Sequence, residues 1–568
     1  MNRREFIKGA VIMGAAAYFS PTIAFGAENL RWWQKNPVYQ IYPKSFLDTN
    51  GSGTGDLQGI IKKLDYIKSL GACAIWLTPI YPSPMVDNGY DIANYTDIDP
   101  RFGNMDDFDE LIAESRKRGI KIVMDLVFNH SSDQHSWFLE SKSSKTNPKA
   151  DWYIWRDEKT NWRGIFGGSA WEFCEERQQY YLHTFAKQQP DLNWENPEVR
   201  KALYDAANFW LDKGVGGFRI DAIVYIKKPS KIADGKPDMP DGMCSVHNMI
   251  ANTPGILDFL HEFRREVFEG HDIFTVGEAN SVKSEDLSKW VGENGVFDML
   301  FEFNHSNVMF NNGDEVWHHS KPIRLSELKK ALSDSQKSTK NLWYPIYFEN
   351  HDKPRSVNNF FVSGTDKKLA AKALAIVLFS LRGTPFIYQG EEIGLDNTKF
   401  DSISDYDDIS SHGNYKLARE EGLSDKEAMK FVQKFSRDNA RTPMQWNSEK
   451  NAGFTSGKAW LPVHSDFKAC NVEIEEKNPD SVLNFYRKLS KQRNSSEILL
   501  NGEYEELYPE NEEIFVFGRR LGEKKLIIAV NFTTHDVKNP IIGGKKVIGN
   551  YADEKNYLRA TEAAIYEF

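Results

Sequence analysis

The chain has 568 residues, of which 40% are hydrophobic and 27% are charged, the balance of an ordinary globular protein with room for two or three domains. Its net charge of −10 argues against nucleic acid as a partner, because nucleic-acid-binding domains carry basic surfaces. The four cysteines stand far apart without a CxxC pair, so the sequence indicates neither a zinc site nor a disulfide framework.

The N-terminal segment differs from the rest of the chain. Residues 1–26 combine a charged start, an apolar stretch and small residues near positions 24–26, which is the layout of a cleavable export signal. The pair Arg3 and Arg4 resembles the twin-arginine signal, so we expect export through the twin-arginine machinery and a periplasmic or secreted protein. An uncleaved N-terminal membrane anchor is the alternative. No later stretch has the roughly 18 uninterrupted apolar residues of a membrane-spanning helix.

From residue 38, short apolar runs alternate with amphipathic helical patterns. We number these runs as strands one to eight: VYQIYP, ACAIWLTPI, KIVMDLVFNH, GGFRIDAIV, DIFTVGEA, VFDMLFEF, LWYPIYFENHD and TPFIYQGEE. Nearly continuous apolar strands alternating with helices predict a parallel sheet that helices cover on its outside. Eight such units predict an α/β fold, the (β/α)8 TIM barrel, over residues 31–130 and 195–488. A doubly wound open sheet is the competing fold, but no Gly-rich phosphate loop follows strand one.

Three segments depart from this alternation. Residues 131–194 are rich in aromatic residues and glycine and are far longer than an ordinary loop, which predicts an inserted subdomain, called B, over the mouth of the barrel. Residues 396–436 form a second, smaller insertion after strand eight. In residues 490–568 the pattern changes to short alternating strands with a turn at 521–523, which predicts a C-terminal antiparallel β-sandwich domain.

Charged and polar side chains end several of the predicted barrel strands. Asp221 ends strand four, Glu278 ends strand five and Asp352 ends strand seven, while His130 and His351 lie beside them in the chain. In a TIM barrel these strand ends meet at one face, the face that carries the chemistry. A single acid at a strand end is often structural. Three acids in one pocket repel one another, so a functional site is the better interpretation.

Convergent carboxylates with aromatic walls and no metal cluster fit glycoside hydrolysis. One acid protonates the leaving oxygen, and another carboxylate attacks the sugar or activates water. Crowding by like charges keeps one of the acids protonated near neutral pH. Arg219 lies two residues before Asp221, on the same face of strand four, and is expected to keep Asp221 ionised and oriented. Taken alone, the pair also fits a structural ion pair.

These segments carry a family resemblance. DLVFNH, GFRIDAIVY, GEA and FENHDKPR resemble the four ordered signatures of the α-amylase family, glycoside hydrolase family thirteen. QPDLNWENPEVR, RDNARTPMQW and GTPFIYQGEEIG resemble the oligo-1,6-glucosidase and α-glucosidase subfamily, over about residues 31–568. The resemblance implies a retaining double displacement at α-glucosidic bonds. It makes Asp221 the nucleophile, Glu278 the acid/base and Asp352 the third acid, which grips the sugar in the transition state.

The same resemblance implies a set of substrate-binding residues. His130 and His351 match the histidines of the family that bind sugar hydroxyls. Asp87 and Tyr90 in VDNGYDI, with Arg437 in SRDNAR, resemble the contacts that close the pocket around the non-reducing glucose and make an enzyme exo-acting. Arg219 is added to the substrate-binding residues because of its position beside Asp221 and not because of the resemblance. From the sequence alone, Tyr90 could equally be a core residue.

The loop DTNGSGTGD, residues 48–56, resembles the start of a calcium-binding loop. Oxygen-bearing side chains alternate along it, at Asp48, Asn50, Ser52, Thr54 and Asp56. In the subfamily this loop holds a structural calcium or magnesium, through a backbone carbonyl at the position of Thr54. The usual pattern has Asp where this chain has Ser52, so one charge is missing. A plain Asx/Gly turn is the alternative, and no organic cofactor is expected.

Three functions follow from these observations. The first is an exo-acting α-glucosidase that releases α-1,4- and/or α-1,6-linked glucose from short oligosaccharides such as maltose and isomaltose. The second is a glucosyl-transferring isomerase, such as a sucrose isomerase or trehalose synthase. SVNNFFVSGTDKK lacks the Arg/Asp-rich loop of the sucrose isomerases. The third is a non-catalytic carbohydrate-binding or transporter-partner protein. Ala222, next to the predicted nucleophile, is expected to favour α-1,4 bonds with some α-1,6 activity.

Overall fold

The computed structural model describes residues 30–239, 241–310 and 316–568. Its central sheet has eight parallel strands, one in each predicted run: Val38–Ile41, Ala74–Leu77, Lys121–Val127, Gly217–Asp221, Phe274–Glu278, Met299–Phe301, Pro345–Ile346 and Thr384–Tyr388. Neighbouring strands pair in the order six, five, four, three, two, one, eight, seven. Strands six and seven end this order and approach each other, so the sheet is a nearly closed barrel and the predicted fold is confirmed.

Helices cover the outside of the barrel between its strands. Those of the repeating units are Leu57–Lys62, Leu64–Ser69, Met105–Lys117, Pro197–Asp212, Ile256–Phe263, Leu287–Trp290, Leu325–Ser338, Lys367–Ser380 and Val482–Asn494. Side chains cap several of them in the way that the sequence leads one to expect. Asn104 accepts from the first amides of Met105–Lys117, and Asn196 caps a helix that begins with Pro197.

Apolar residues fill the barrel interior beneath the strand ends. Trp76, Phe301 and Phe386 pack on one another there, with ring centroids 5.5 Å apart for Trp76 and Phe301 and 4.8 Å apart for Phe301 and Phe386. Because side chains alternate along a strand, a residue two positions beyond one of these apolar side chains also faces the interior, nearer the mouth. The barrel interior is therefore apolar at its lower end and polar near the mouth.

The two insertions have secondary structure of their own. The segment after strand three contains helix Ser136–Ser143 and an antiparallel sheet of Trp155–Arg156, Gln179–Leu182 and Trp171–Cys174. Its strand Trp162–Arg163 pairs with Cys244–Ser245, which belongs to the segment after strand four. The segment after strand eight contains helices Ile409–Glu420 and Asp425–Phe435.

The C-terminal part is antiparallel, as predicted. Its five-stranded sheet consists of Glu503–Leu507, Ile514–Leu521, Lys524–Asn531, Ala563–Glu567 and Lys545–Gly549, in that spatial order. A two-residue loop at 522–523 joins the second and third of these strands. A smaller sheet of Val537–Lys538 and Tyr557–Leu558 contributes Val537 and Leu558 to the apolar cluster on one face of the large sheet.

The predicted export signal, residues 1–26, lies outside the described residues. Among the residues that the structure describes, no helix has both the length and the apolar character needed to cross a membrane.

Candidate active site

The register of the barrel strands determines which polar side chains lie next to one another at the mouth of the barrel. Strand four pairs with strand three so that Arg219 lies opposite Asp125 and Asp221 lies opposite Val127. On its other side strand four pairs with strand five, which ends at Glu278. Arg219, Asp221 and Asp125 are all buried. The sheet therefore brings a cation and three carboxylates together at the mouth.

The guanidinium of Arg219 lies at the centre of this group. Its Nη1 donates to Asp125 at 2.8 and 3.0 Å and to Asp221 Oδ1 at 2.7 Å. Its Nη2 donates to Glu278 Oε2. Arg219 is only 3% exposed, so these ion pairs are scarcely screened by water. A single cation thus holds the predicted nucleophile and the predicted acid/base at fixed positions relative to each other.

One positive charge does not balance three carboxylates, of which Asp221 and Asp125 are buried and Glu278 is partly exposed. Burial raises the pKa of Asp221 well above its usual range; Arg219 offsets part of this shift, and the charges of Glu278 and Asp125 add to it. Burial also raises the pKa of Asp125. Arg219 contacts Asp221 as expected and favours its ionised form, while burial and the neighbouring carboxylates act in the opposite direction.

Asp352 differs from Asp221 in that positively charged groups dominate its surroundings. Its carboxylate faces His351 Nε2 at 3.0 Å and accepts from Arg437 Nη1 at 3.2 Å and Arg441 Nη2 at 2.9 Å. Burial alone would raise its pKa, but His351 and the two guanidinium groups outweigh burial and hold the pKa of Asp352 well below the usual range. Asp352 is thus ionised, whereas the pKa of Asp221 is raised, and acid–base catalysis needs carboxyl groups whose pKa values differ in this way.

Tyr90 joins the two halves of the site. Its hydroxyl lies 2.5 Å from His351 Nε2 and donates to Asp125 Oδ2 at 3.0 Å. The Tyr90 and His351 rings stack with centroids 5.3 Å apart and an interplanar angle of 8°. Although Tyr90 is buried, its polar contacts place it in the site and not in the apolar core alone.

His130 and Asp87 meet on the side of the first insertion. Gln189 Nε2 lies 3.2 Å from His130 Nε2 and 3.3 Å from Asp87 Oδ2, and His130 Nε2 lies 3.1 Å from the Tyr90 carbonyl. Burial lowers the pKa of His130, so its ring is neutral near pH 7 and can both donate and accept. Asp87 Oδ1 accepts from Arg437 Nη2 at 2.9 Å. All nine predicted catalytic and substrate-binding residues therefore lie in one connected network.

Members of this network that were missed in the sequence include Asp125, Gln189, Arg441 and Asp408, which accepts from Arg437 Nε at 2.7 Å. Asp125 could have been identified from the sequence, because a carboxylate inside the apolar run of strand three is buried and needs a polar partner. Arg441 lies one helical turn after Arg437. Gln189 and Asp408 belong to the insertions, where no periodicity indicates which side chains point to the barrel.

In the loop at 48–56, protein donors already hydrogen-bond to the carboxylates of Asp48 and Asp56. Asp48 accepts from three backbone N–H groups of the loop and from the Thr455 hydroxyl, and Asp56 accepts from Thr49 and caps Leu57–Lys62. Ser52 Oγ donates to the Thr54 carbonyl at 3.1 Å. A carboxylate offers about four acceptor positions, so a cation at Asp48 would have to displace a protein donor. The loop residues fit a metal only in part.

A TIM barrel with ion-paired carboxylates at the ends of strands four and five and in the loop after strand seven has the arrangement of a glycoside hydrolase site. The model of the alpha-amylase catalytic domain matches residues 40–502, and the chain belongs to that family. It is 46% identical over 513 residues to the probable oligo-1,6-glucosidase 3 of Bacillus subtilis (strain 168), covering 88% of this chain and 91% of the relative.

Solved structures extend this similarity. Trehalose-6-phosphate hydrolase of Bacillus licheniformis superposes with a TM-score of 0.89 at 41% identity, covering 95% of this chain and 100% of that one. Isomaltulose synthase of Erwinia rhapontici NX5 superposes with a TM-score of 0.90 at 40% identity, covering 95% and 99%. The same scaffold therefore carries hydrolases and an isomerase.

Proposed function

We propose that the protein is a retaining, exo-acting α-glucosidase that hydrolyses terminal α-1,4- and/or α-1,6-linked glucose in short oligosaccharides. The observation that carries this proposal is the contact of one guanidinium, that of Arg219, with both Asp221 and Glu278. In a double displacement, Asp221 attacks the anomeric carbon while Glu278 protonates the leaving oxygen. The mechanism therefore requires an ionised Asp221 and a protonated Glu278 at the moment of attack.

The exo action rests on Arg437. This side chain contacts Asp352, which follows strand seven, and Asp87, which lies in the loop after strand two. The ion pairs join the loop after strand two to the loop after strand seven, and we assign them as the end wall beyond the first sugar. A pocket closed in this way accepts the end of a chain and excludes its middle. The curated relative named above is an oligo-1,6-glucosidase, in agreement with this activity.

An isomerase is the alternative, because isomaltulose synthase has the same fold. An isomerase passes the glucosyl group to another hydroxyl of the bound product, whereas a hydrolase passes it to water. The two are separated by incubating the protein with maltose, isomaltose, sucrose and trehalose and following the products by NMR. We expect α-glucose as the first product from maltose or isomaltose. Isomaltulose from sucrose, or maltose from trehalose, as the main product would assign the alternative.

Ala222 is expected to control linkage preference, because it borders the space where the second sugar leaves. It is buried, has a left-handed backbone with φ 44°, and its N–H donates to Glu278 Oε2 at 3.3 Å. Ala222→Val adds volume and places a β-branched residue at positive φ. The ratio of kcat/KM for maltose to that for isomaltose should fall about 3- to 10-fold.

Ala222→Gly is the matched control, since it relieves the backbone without adding volume. The ratio of kcat/KM for maltose to that for isomaltose in Ala222→Gly should equal or exceed the wild-type ratio. A wild type inert on maltose, or an unchanged ratio in Ala222→Val, would place linkage preference in the insertions.

We further propose that the loop at 48–56 binds calcium or magnesium only weakly. Its ligands would be Asp48, Asn50, the Thr54 carbonyl and Asp56, with Ser52 in place of a charged side chain. Added Ca²⁺ should raise the Tm of the wild type over that in EDTA by less than about 2 °C, and that of Ser52→Asp by clearly more. Ser52→Asn introduces a side chain of the size of Asp but without its charge, so its Tm shift on addition of Ca²⁺ should equal that of the wild type. A large wild-type shift would contradict weak binding.

Export is proposed from the N-terminal residues alone. The twin-arginine machinery would carry the folded protein to the periplasm or the exterior, with cleavage after about residue 26. Replacing Arg3 and Arg4 by Lys keeps the charge but removes the motif, and should leave glucosidase activity in the cytoplasmic fraction. Unchanged fractionation of that variant would show that the arginine pair has no role.

A further inference from the structure

We propose that Asp408 is a positioning residue that orients Arg437 and thereby builds the end wall of the glucose pocket. This inference rests on the function proposed above. Asp408 lies in the insertion after strand eight and is 0% exposed. Its Oδ1 accepts from Arg437 Nε at 2.7 Å, and its Oδ2 accepts from the Arg437 backbone N–H at 3.2 Å.

The three side-chain nitrogens of Arg437 each face a different carboxylate. Nη1 donates to Asp352 at 3.2 Å, Nη2 donates to Asp87 at 2.9 Å, and Nε donates to Asp408. A guanidinium is planar, so a bond at Nε fixes the plane in which both Nη groups lie. Asp352 and Asp87 belong to the proposed glucose site, with 30% of the Asp352 side chain exposed, whereas the Asp408 side chain is fully buried. Asp408 thus decides where the two Nη groups point.

Asp408 is itself held rigidly. It is the N-cap of helix Ile409–Glu420, where it accepts from the backbone N–H of Ser410 at 3.0 Å and of Ser411 at 3.2 Å. Its own N–H donates to Asp438 Oδ2 at 3.0 Å. The carboxylate is therefore a fixed support for the Arg437 side chain, whose guanidinium also packs over the Phe166 ring at 5.2 Å.

Two roles of Asp408 must be separated experimentally, since the carboxylate both caps a helix and orients Arg437. Asp408→Asn retains a good cap residue but loses the charge, and its NH2 group meets N–H donors on one side. We expect a folded protein with a Tm somewhat below that of the wild type, and a kcat/KM on p-nitrophenyl α-glucoside reduced about 10- to 100-fold. Should Asp408→Asn fold poorly, Asp408→Ser also retains the cap and is too short to reach Arg437 Nε.

Asp366→Asn is the control for capping. Asp366 caps helix Lys367–Ser380 by accepting from two backbone N–H groups, as Asp408 does in its own helix. Its substitution should leave kcat/KM unchanged. A comparable loss in Asp366→Asn, or wild-type kcat/KM in Asp408→Asn, would overturn the proposal.

A double-mutant cycle tests whether Asp408 acts through Arg437. In an Arg437→Ala background, or Arg437→Lys if the former does not fold, Asp408→Asn should cost less than about 3-fold in kcat/KM. The same cost in both backgrounds would show that Asp408 acts independently and would overturn the proposal. A wild type without activity on the glucoside would instead overturn the proposed function, so the two failures are distinguishable.

Discussion

Asp221→Asn is expected to reduce kcat on p-nitrophenyl α-glucoside by about 10,000-fold or more, because an amide cannot form the glycosyl-enzyme ester. The fold should persist. The amide oxygen can still accept from Arg219 Nη1, which lies 2.7 Å from Asp221 Oδ1 in the wild type, and Arg219 keeps its bonds to Asp125 and Glu278. Circular dichroism and Tm measure the fold, and single-turnover kinetics measure the loss.

Azide, used as an external nucleophile, shows from which face of the sugar ring Asp221 attacks. In Asp221→Ala the space left by the carboxylate can hold azide, which attacks α-glucosyl fluoride from the side opposite the fluoride. The product of this variant should be β-glucosyl azide. Retention of more than a small fraction of wild-type kcat in Asp221→Asn, or absence of the β product, would assign the nucleophile elsewhere.

The positions of the three acids could be predicted because they depend on local features. Each acid ends an apolar run, and in a parallel barrel all strand ends of one direction meet at one face. The predicted roles followed from the motifs around Asp221, Glu278 and Asp352. The barrel followed from eight runs whose spacing leaves room for a covering helix, and each run contains a strand.

The electrostatics could not be predicted in the same way. Arg219 and Asp221 alone suggested an ionised nucleophile, whereas the pKa of Asp221 also depends on Asp125, which a neighbouring strand brings alongside. Strand register and burial are properties of the folded barrel and leave no trace in the spacing of one run. Asp408 is a similar case, since its sequence context predicts only a helix cap.

Glu278→Gln is expected to reduce kcat/KM on maltose by about 100- to 10,000-fold, the range that general acid catalysis contributes. Gln cannot give a proton to the leaving sugar oxygen. It can still accept from Arg219 Nη2 and from the Ala222 N–H, so Asp221 and the surrounding backbone keep their positions. With α-glucosyl fluoride, whose leaving group needs little protonation, kcat/KM should fall much less.

The pH profile of Glu278→Gln should change as well. In the wild type, kcat/KM should be bell-shaped, because activity requires one proton on the pair of Asp221 and Glu278 and is lost when the pair has two or none. Glu278→Gln removes the acid, so the decline at high pH should disappear while the decline at low pH, where Asp221 is protonated, remains. A fluoride rate reduced as much as the maltose rate would show that Glu278 is not the general acid.

Azide separates Glu278 from Asp221 by the anomer that it yields. In Glu278→Ala the glycosyl-enzyme on Asp221 still forms from the fluoride, and azide then attacks from the side opposite Asp221. The product is α-glucosyl azide, the reverse of the anomer expected from Asp221→Ala. Opposite anomers from the two variants require carboxylates on opposite faces of the sugar, acting in two successive displacements. The same anomer from both would exclude the double displacement, whatever the sizes of the rate losses.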